Sequence, residues 1–333
     1  MIITREKEIL NRNEVPFEDI VNKASLIQEH CSDYEISSVT PDTFRVNEDG
    51  TIFFKSDNKE SKRVDISSYA LAQTSQKVGL SSGFMEDCFD RNLGWLAALS
   101  ANTYLSQKPP KGLFVRTYEE NGNEYIRATL SKKYADLPAV DALHILGDAI
   151  NTDDYKCVST YIDDERCHLR LVSKNMLKIF GEDLFPMILF DTSDIGRCSL
   201  SVRFGIYKQV CTNGLVMMRF GGNLFTQKHM GISNEEFYDE MVAKASLIPT
   251  LITKSEEVIK NTMTKAVTFE EIIKECTMLG IKRDTEVVQG LMNTKYTGLN
   301  RWSLINAITD VSQNYTLDKR LDLEQKASML LVA

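Results

Sequence analysis

Residues Phe185–Val216 read FPMILFDTSDIGRCSLSVRFGIYKQVCTNGLV, and their alternation decides the fold. From Cys198 to Tyr207 the side chains switch sides strictly. Cys198, Leu200, Val202, Phe204 and Ile206 take one face, and Ser199, Ser201, Arg203, Gly205 and Tyr207 the other. Successive Cβ atoms of a strand point to opposite faces, so this period of two predicts a half-buried strand. Pro186 to Phe190 is a short apolar run ahead of it, and the polar Asp191 to Gly196 closes a hairpin between the two. Behind it, Asn213-Gly214 tolerates positive φ at both centres of a two-residue turn, which predicts a third strand over Leu215 to Phe220. The expected local architecture is an antiparallel meander.

Hairpin signals continue upstream. Leu113 to Tyr118 and Tyr125 to Leu130 flank Asn121-Gly122, the strongest such signal in the chain, and Tyr155 to Ile162 faces Cys167 to Val172 across Asp163-Asp164-Glu165. Thr43 to Val46 and Thr51 to Phe54 flank Asn47 to Gly50. Helical periods appear over Phe17 to Ile27, from Asp65 to Val78 with Gly79 as a stop, from about Phe84 or Asp87 to Tyr104, and over Val140 to Ile150. Beyond Gly231 the pattern is helical throughout. A long helix from Asn234 to about Thr262 is kinked or split by Pro249, Thr268-Phe269-Glu270-Glu271 opens another in capping-box style, and further helices are expected over Asp284 to Asn293, Trp302 to Asn314 and Leu317 to Val332. The fold class is therefore α+β, a central antiparallel sheet of consecutive hairpins flanked by helices with a helical C-terminal region. Lys55 to Arg63, polar and rich in breakers, marks the expected division into an N-terminal arm and hairpin (1–63), a central core (64–232) and a helical region (233–333).

Three segments carry a resemblance. Val210-Cys211-Thr212-Asn213-Gly214-Leu215, Arg127-Ala128-Thr129-Leu130-Ser131-Lys132-Lys133-Tyr134 and Trp302 to Thr309 (WSLINAIT) resemble motifs of a family of phage- and plasmid-borne proteins classed only as a domain of unknown function. The likeness spans roughly residues 64 to 320. Around Tyr134 this chain has Lys132 and Leu137-Pro138-Ala139 where the family has acidic and Asp-Asn elements. The resemblance implies a phage or mobile-element setting and no particular activity.

Composition excludes several classes. Hydrophobic content of 43% and charged content of 26% are ordinary for a chain that buries a core. MIITREKEILNR carries charge where a signal peptide needs an apolar stretch, so a soluble cytoplasmic protein with no membrane partner is expected. Seven scattered cysteines with no paired spacing read as reduced thiols. The net charge of −8 is uneven: residues 1–107 hold 11 Lys+Arg against 17 Asp+Glu, residues 108–232 hold 16 against 15, and residues 233–333 hold 12 against 15. A global basic field is absent, while the central segment leaves room for a local basic patch.

That segment also places arginine and tyrosine together on polar strand faces. Arg116 shares a side with Phe114 and Tyr118, Arg127 with Tyr125, Thr129 and Ser131, and His168 and Arg170, then Arg197, Arg203 and Tyr207, follow on later strands. Arginine supplies phosphate contacts and tyrosine a π-face for a base, which is how single-strand binders track a backbone without reading sequence. The candidate nucleic-acid-binding residues are Arg116, Tyr118, Arg127, Lys132, Lys133, Arg170, Arg203 and Tyr207. A solvated or helix-covered sheet face would show the same pattern. Cys167 and His168 are neighbours on a strand and point to opposite faces, so they do not share a metal. Asp191 and Asp194 beside Arg197 form a weak metal signal that more often caps its own turn. No nucleophile elbow, phosphate loop, HExxH or dinucleotide fingerprint occurs, and no catalytic residue, metal or cofactor is expected. Two functions stay open. One is single-stranded DNA binding in recombination or annealing, for which a homo-oligomer is a fitting form, and the other is a protein-binding module that engages a host protein.

Overall fold

A computed structural model describes residues 2–3, 14–134, 137–208, 213–216, 223–227, 233–278, 280 and 300–331 of the 333-residue chain. Two sheets carry the α+β fold, each of seven strands among the described residues. The first comprises β1 (Ile2–Ile3), β2 (Cys31–Ile36), β3 (Phe44–Val46), β4 (Ile52–Lys55), β5 (Ser61–Ser67), β6 (Leu113–Glu120) and β7 (Asn123–Leu130) in the order β2-β6-β7-β5-β4-β3, with β1 beside β5. Its pairings are antiparallel except β5 with β7 and β1 with β5. The second comprises β8 (Tyr155–Ile162), β9 (Cys167–Ser173), β10 (Leu177–Ile179), β11 (Glu182–Thr192), β12 (Leu200–Lys208), β13 (Asn213–Val216) and β14 (Asn223–Gln227). Here β13-β12-β11-β9-β8 is an antiparallel run, with β10 on β11 and β14 on β12.

Local chemistry explains most of the connections. Asn121 and Gly122 both have positive φ, +53° and +77°, as the two-residue turn between β6 and β7 requires. In the helix α2 (Ser68–Lys77), the Ser67 hydroxyl accepts the Ala70 amide, and Gly79 follows at φ +77°. Pro249 sits in the first turn of α7 (Ile248–Thr264) and divides it from α6 (Asn234–Ala245), because proline lacks the amide that a continuous helix would need. Ser233 and Glu236 make a reciprocal capping box at the start of α6.

The remaining helices are α1 (Phe17–Glu29), α3 (Ser82–Asp90), α4 (Gly94–Gln107), α5 (Ala139–Ala149), α8 (Phe269–Met278), α9 (Arg301–Ser312) and α10 (Leu317–Ser328). Helices α2, α3 and α4 cover one face of the first sheet around Phe44, Ile52, Phe54, Leu71, Met85 and Leu105. On the second sheet, the face bearing Leu200, Val202, Phe204 and Ile206 packs against α1 and α5 to α9, as the alternation leads one to expect.

Several expectations are corrected. Across Lys55–Arg63, β4 and β5 pair from Ile52 with Val64 to Lys55 with Ser61, and among the described residues sheet membership changes between Leu130 and Tyr155. Asp65 still belongs to β5. The single helix expected from Phe84 to Tyr104 breaks into α3 and α4 at Asn92, whose φ is +59°. Asn213-Gly214 is strand and not turn, pairing with Lys208 and Tyr207 within β13, and residues 209–212 lie outside those described. The expected helix Asp284 to Asn293 also lies outside the described residues. Finally, β12 is buried on both faces, since α10 lies against the face that carries Arg203 and Tyr207.

Candidate functional site

The polar residues singled out from the sequence fall into two buried ionic clusters and one exposed lysine group. The first cluster joins the two sheets. A register shift between Arg116 and Thr117 leaves Arg127 as the extra residue of a bulge in β7, and a bulge re-aims a side chain. Arg127 grips Asp194, which follows β11, with Nη1 donating to Oδ1 at 2.9 Å and Nη2 to Oδ2 at 2.5 Å. Arg116 donates to the Asp194 carbonyl at 2.8 Å and to Oδ2 at 3.1 Å, and pairs with Asp33 at 3.1 Å. The same loop receives Gln73 Nε2 at the Ile195 carbonyl at 2.7 Å, and its Ser193 hydroxyl donates to the Glu165 carbonyl at 2.6 Å. Tyr125 donates to Asp164 at 3.0 Å. Burial works against a charge on Arg127, yet Asp194, Cys31 and Asp164 together outweigh it and hold the guanidinium above its ordinary pKa.

The second cluster lies under α10. Register puts His168, Asp191 and Ser201 side by side on β9, β11 and β12, with Arg170, Leu189 and Arg203 one step along the same face. Asp191 receives Arg166 at 2.9 Å and His168 Nδ1 at 2.9 Å, and pairs with Arg203. Arg166 also reaches Asp318 of α10 at 2.6 Å, while fully buried Glu324 accepts Arg170 at 2.6 Å and Arg320 at 3.0 Å. Burial raises the carboxyl of Asp191, but His168, Arg203 and Arg166 together hold it well below the usual carboxylate range. Burial dominates at His168 and lowers its pKa, so the imidazole stays neutral.

The sign of the pH dependence follows. As pH falls below about 6.5, the unfolded chain takes up a proton at position 168 that the folded chain refuses, so stability falls by at most about 1.4 kcal/mol per pH unit from this group. Asp191 acts the same way at lower pH: its contribution is present above its unfolded value of about 3.8 and is lost as pH drops toward its folded value. Calorimetric Tm should therefore decline from neutral to mildly acidic pH, with a shallower decline in His168→Gln. Equal declines in the two proteins would remove His168 as the cause.

The expected open arginine groove is thus not what the fold builds. Arg116 and Arg127 are each 2% exposed, Arg170 not at all and Arg203 half-buried, and all four engage carboxylates. Tyr207 is buried against Leu317 and Leu321, and Tyr118 packs edge-on against Tyr125 at 5.8 Å. Arg197 lies over the Tyr69 ring at 5.1 Å. Thr129 faces α2 instead of sharing a side with Arg127, its hydroxyl 2.9 Å from that of Thr74.

Lys132 and Lys133 lie elsewhere, where the start of β6 meets the end of β7. Lys132 runs across Gly112, pairing with Glu35 and donating to Ser37 at 2.5 Å. Gly112 has φ +108°, and a Cβ there would stand 2.6 Å from Lys132 Cε. Lys133 is exposed, as are Lys108 and Lys111 on the short Pro109-Pro110 link from α4 to β6. Lys77, half-buried, ends α2, and a Cβ at the nearby Gly79 would lie 3.7 Å from the ring of Tyr104, itself 48% exposed. Lys77, Lys108, Lys111 and Lys133 have no carboxylate partner among the described residues. Sequence reasoning missed Lys77, Tyr104, Lys108 and Lys111, although Lys108-Pro109-Pro110-Lys111 could have drawn notice.

No protein-family model matches the chain, and no curated protein or solved structure is detectably similar to it. Among the described residues, no group of His, Cys, Asp and Glu is placed to hold a metal ion, and no helix is long and apolar enough to cross a membrane. The six described cysteines are free thiols, and burial pushes Cys31, Cys157 and Cys198 up to about 12, which suppresses the reactive thiolate.

Proposed function

We propose that the protein binds single-stranded nucleic acid by its phosphate backbone along the lysine-bearing end of the first sheet, as a phage or mobile-element protein of annealing or recombination. One observation carries this reading. Gly79 lies against Tyr104 and Gly112 against Lys132, which brings Lys77, Lys108, Lys111, Lys132 and Lys133 to one end of the first sheet in a protein whose net charge is −8, and four of the five have no acidic partner among the described residues. Unneutralised lysines on flexible stems suit a flexible phosphate chain, and the exposed ring of Tyr104 supplies a face on which a base can stack. The resemblance to phage and plasmid proteins supports the biological setting.

The test is a fluorescence-anisotropy titration of labelled oligonucleotides over a salt series. Every phosphate that a lysine no longer neutralises takes about 0.7 off the log–log salt slope, so Lys108→Glu, Lys111→Glu and Lys133→Glu together should flatten it by up to about 2, for every oligonucleotide sequence alike. Tyr104→Ala should weaken binding by about 1–3 kcal/mol with little change of slope. Absence of binding by the wild-type protein at low salt, where screening is least, would end this reading. The second reading, a protein-binding module directed at a host protein, would then remain, and it rests on a different surface: the exposed Trp95 and Leu99 of α4.

A further inference from the structure

We infer that α4 is an interface between two copies of this chain, the two helices lying antiparallel across a two-fold axis. Helix α4, GWLAALSANTYLSQ, contains no charged residue in its 14 positions. Trp95 and Leu99, four apart and therefore on one face, are 50% and 59% exposed. Beside them runs an open groove of about 470 Å³ lined by Arg45, Glu48, Asn102 and Ser106 as well as Trp95 and Leu99. Its floor is firm: the Asn102 side chain donates to the Val46 carbonyl at 2.9 Å and accepts the Val46 amide at 3.1 Å, tying α4 to β3. A rigid apolar stripe beside such a groove is a docking surface rather than a scatter of single exposed residues.

The charges at the two ends of α4 identify the occupant. At the N-terminal end stand Glu48 and Asp90, both exposed, while Asp87 and Arg91 neutralise each other at 2.9 Å. Glu48 is held against this end by close packing, since a Cβ on Gly94 would stand 1.9 Å from the Glu48 carbonyl oxygen. At the C-terminal end stand Lys108 and Lys111, without carboxylate partners among the described residues. A helix of this length separates the ends by about 20 Å. Two such helices packed antiparallel bring the acidic end of each against the basic end of the other, with helix dipoles opposed as well. The middle of α4 itself carries no charge for a two-fold axis to bring against its own copy, and Arg45, which lines the groove from β3, lies over the ring of Phe53 at 4.2 Å. One chain carries both halves of a complementary surface, so the partner it fits is a second copy of itself.

The dimer and the nucleic-acid reading both draw on Lys108 and Lys111, so the inference is tested without nucleic acid, by sedimentation equilibrium of the full chain. The expected result is a dimer that Leu99→Glu, or independently Trp95→Glu, converts to a monomer with an unchanged thermal melt, both positions being exposed. Glu48→Lys with Asp90→Lys should weaken the dimer at least tenfold, and adding Lys108→Glu with Lys111→Glu should restore it, because the reversed pair is again complementary. A wild-type chain that stays monomeric up to ~100 µM, where useful self-association would register, overturns the inference and leaves the α4 face to a different protein. A dimer indifferent to Leu99→Glu and Trp95→Glu, or one not restored by the second charge reversal, overturns it too. Leu99→Glu leaves every lysine in place, so a failure here and a failure of the salt-slope test are separate results.

Discussion

Asp194→Ala is expected to destabilise the protein by about 3–5 kcal/mol, the cost of removing one partner from a buried ion pair. Asp194 meets both Arg116 and Arg127, each 2% exposed. Without it Arg116 keeps Asp33, but Arg127 keeps, among the described residues, the Asp164 carbonyl alone, and two buried guanidinium groups are left close together. The loop carrying Asp194 also brings Ile195, fully buried, against Ala128 and Leu130, so the same substitution loosens the joint between the sheets. Asp194→Asn should cost nearly as much, because it keeps the shape and removes the charge. Replacing the charges together, Asp194→Leu with Arg116→Met and Arg127→Met, should cost less than Asp194→Leu alone. Denaturant melts check all four proteins; Asp194→Ala within about 0.5 kcal/mol of wild type would mean that this pair does not hold the sheets together.

Phe204→Ala should cost about 3–5 kcal/mol by loss of buried surface and creation of a cavity. Phe204 is wholly buried on the face of β12 that meets the helices, opposite Ile188 of β11, in the largest core of the molecule. Its neighbour in sequence, Arg203, points to the other face and into the ionic cluster, so Arg203→Ala should destabilise by taking one of three partners from buried Asp191, which keeps Arg166 and His168, rather than through a void. A guanidinium melt of Phe204→Ala that matches wild type would contradict the facing of the whole strand, since a shift of one residue would turn all of its side chains over.

How far the sequence reveals these features depends on the range of the interaction. The facing of Leu200, Val202, Phe204 and Ile206 was legible because strand alternation is local, and so were the Asn121-Gly122 turn and the split at Pro249. The division of the strands into two sheets was not. It depends on β5 pairing in parallel with β7 across α2, α3, α4 and β6, which no turn signal records. The arginine faces misled for a related reason. An alternating polar face on a strand looks the same whether water or a helix covers it, and here the cover is Glu324, 154 residues beyond Arg170. The arginines are polar because they are paired across the fold, not because they face solvent. Of the lysine group, Lys132 and Lys133 could be picked out beside a strand end, whereas Lys77, Lys108 and Lys111 join them only once α2 and α4 have docked.

The most direct test of where a strand lies is photocrosslinking of the full chain to a 5-bromouracil oligonucleotide, followed by mass spectrometry of the adducted peptides. If the proposal holds, adducts fall on Tyr104 and on the peptides containing Lys108 to Lys111 and Lys132 to Tyr134, and high salt removes them. Adducts instead on β9 and β12, at His168, Arg170, Arg203 or Tyr207, would contradict it, because they would require α10 to leave the buried arginine face and the strand to take its place.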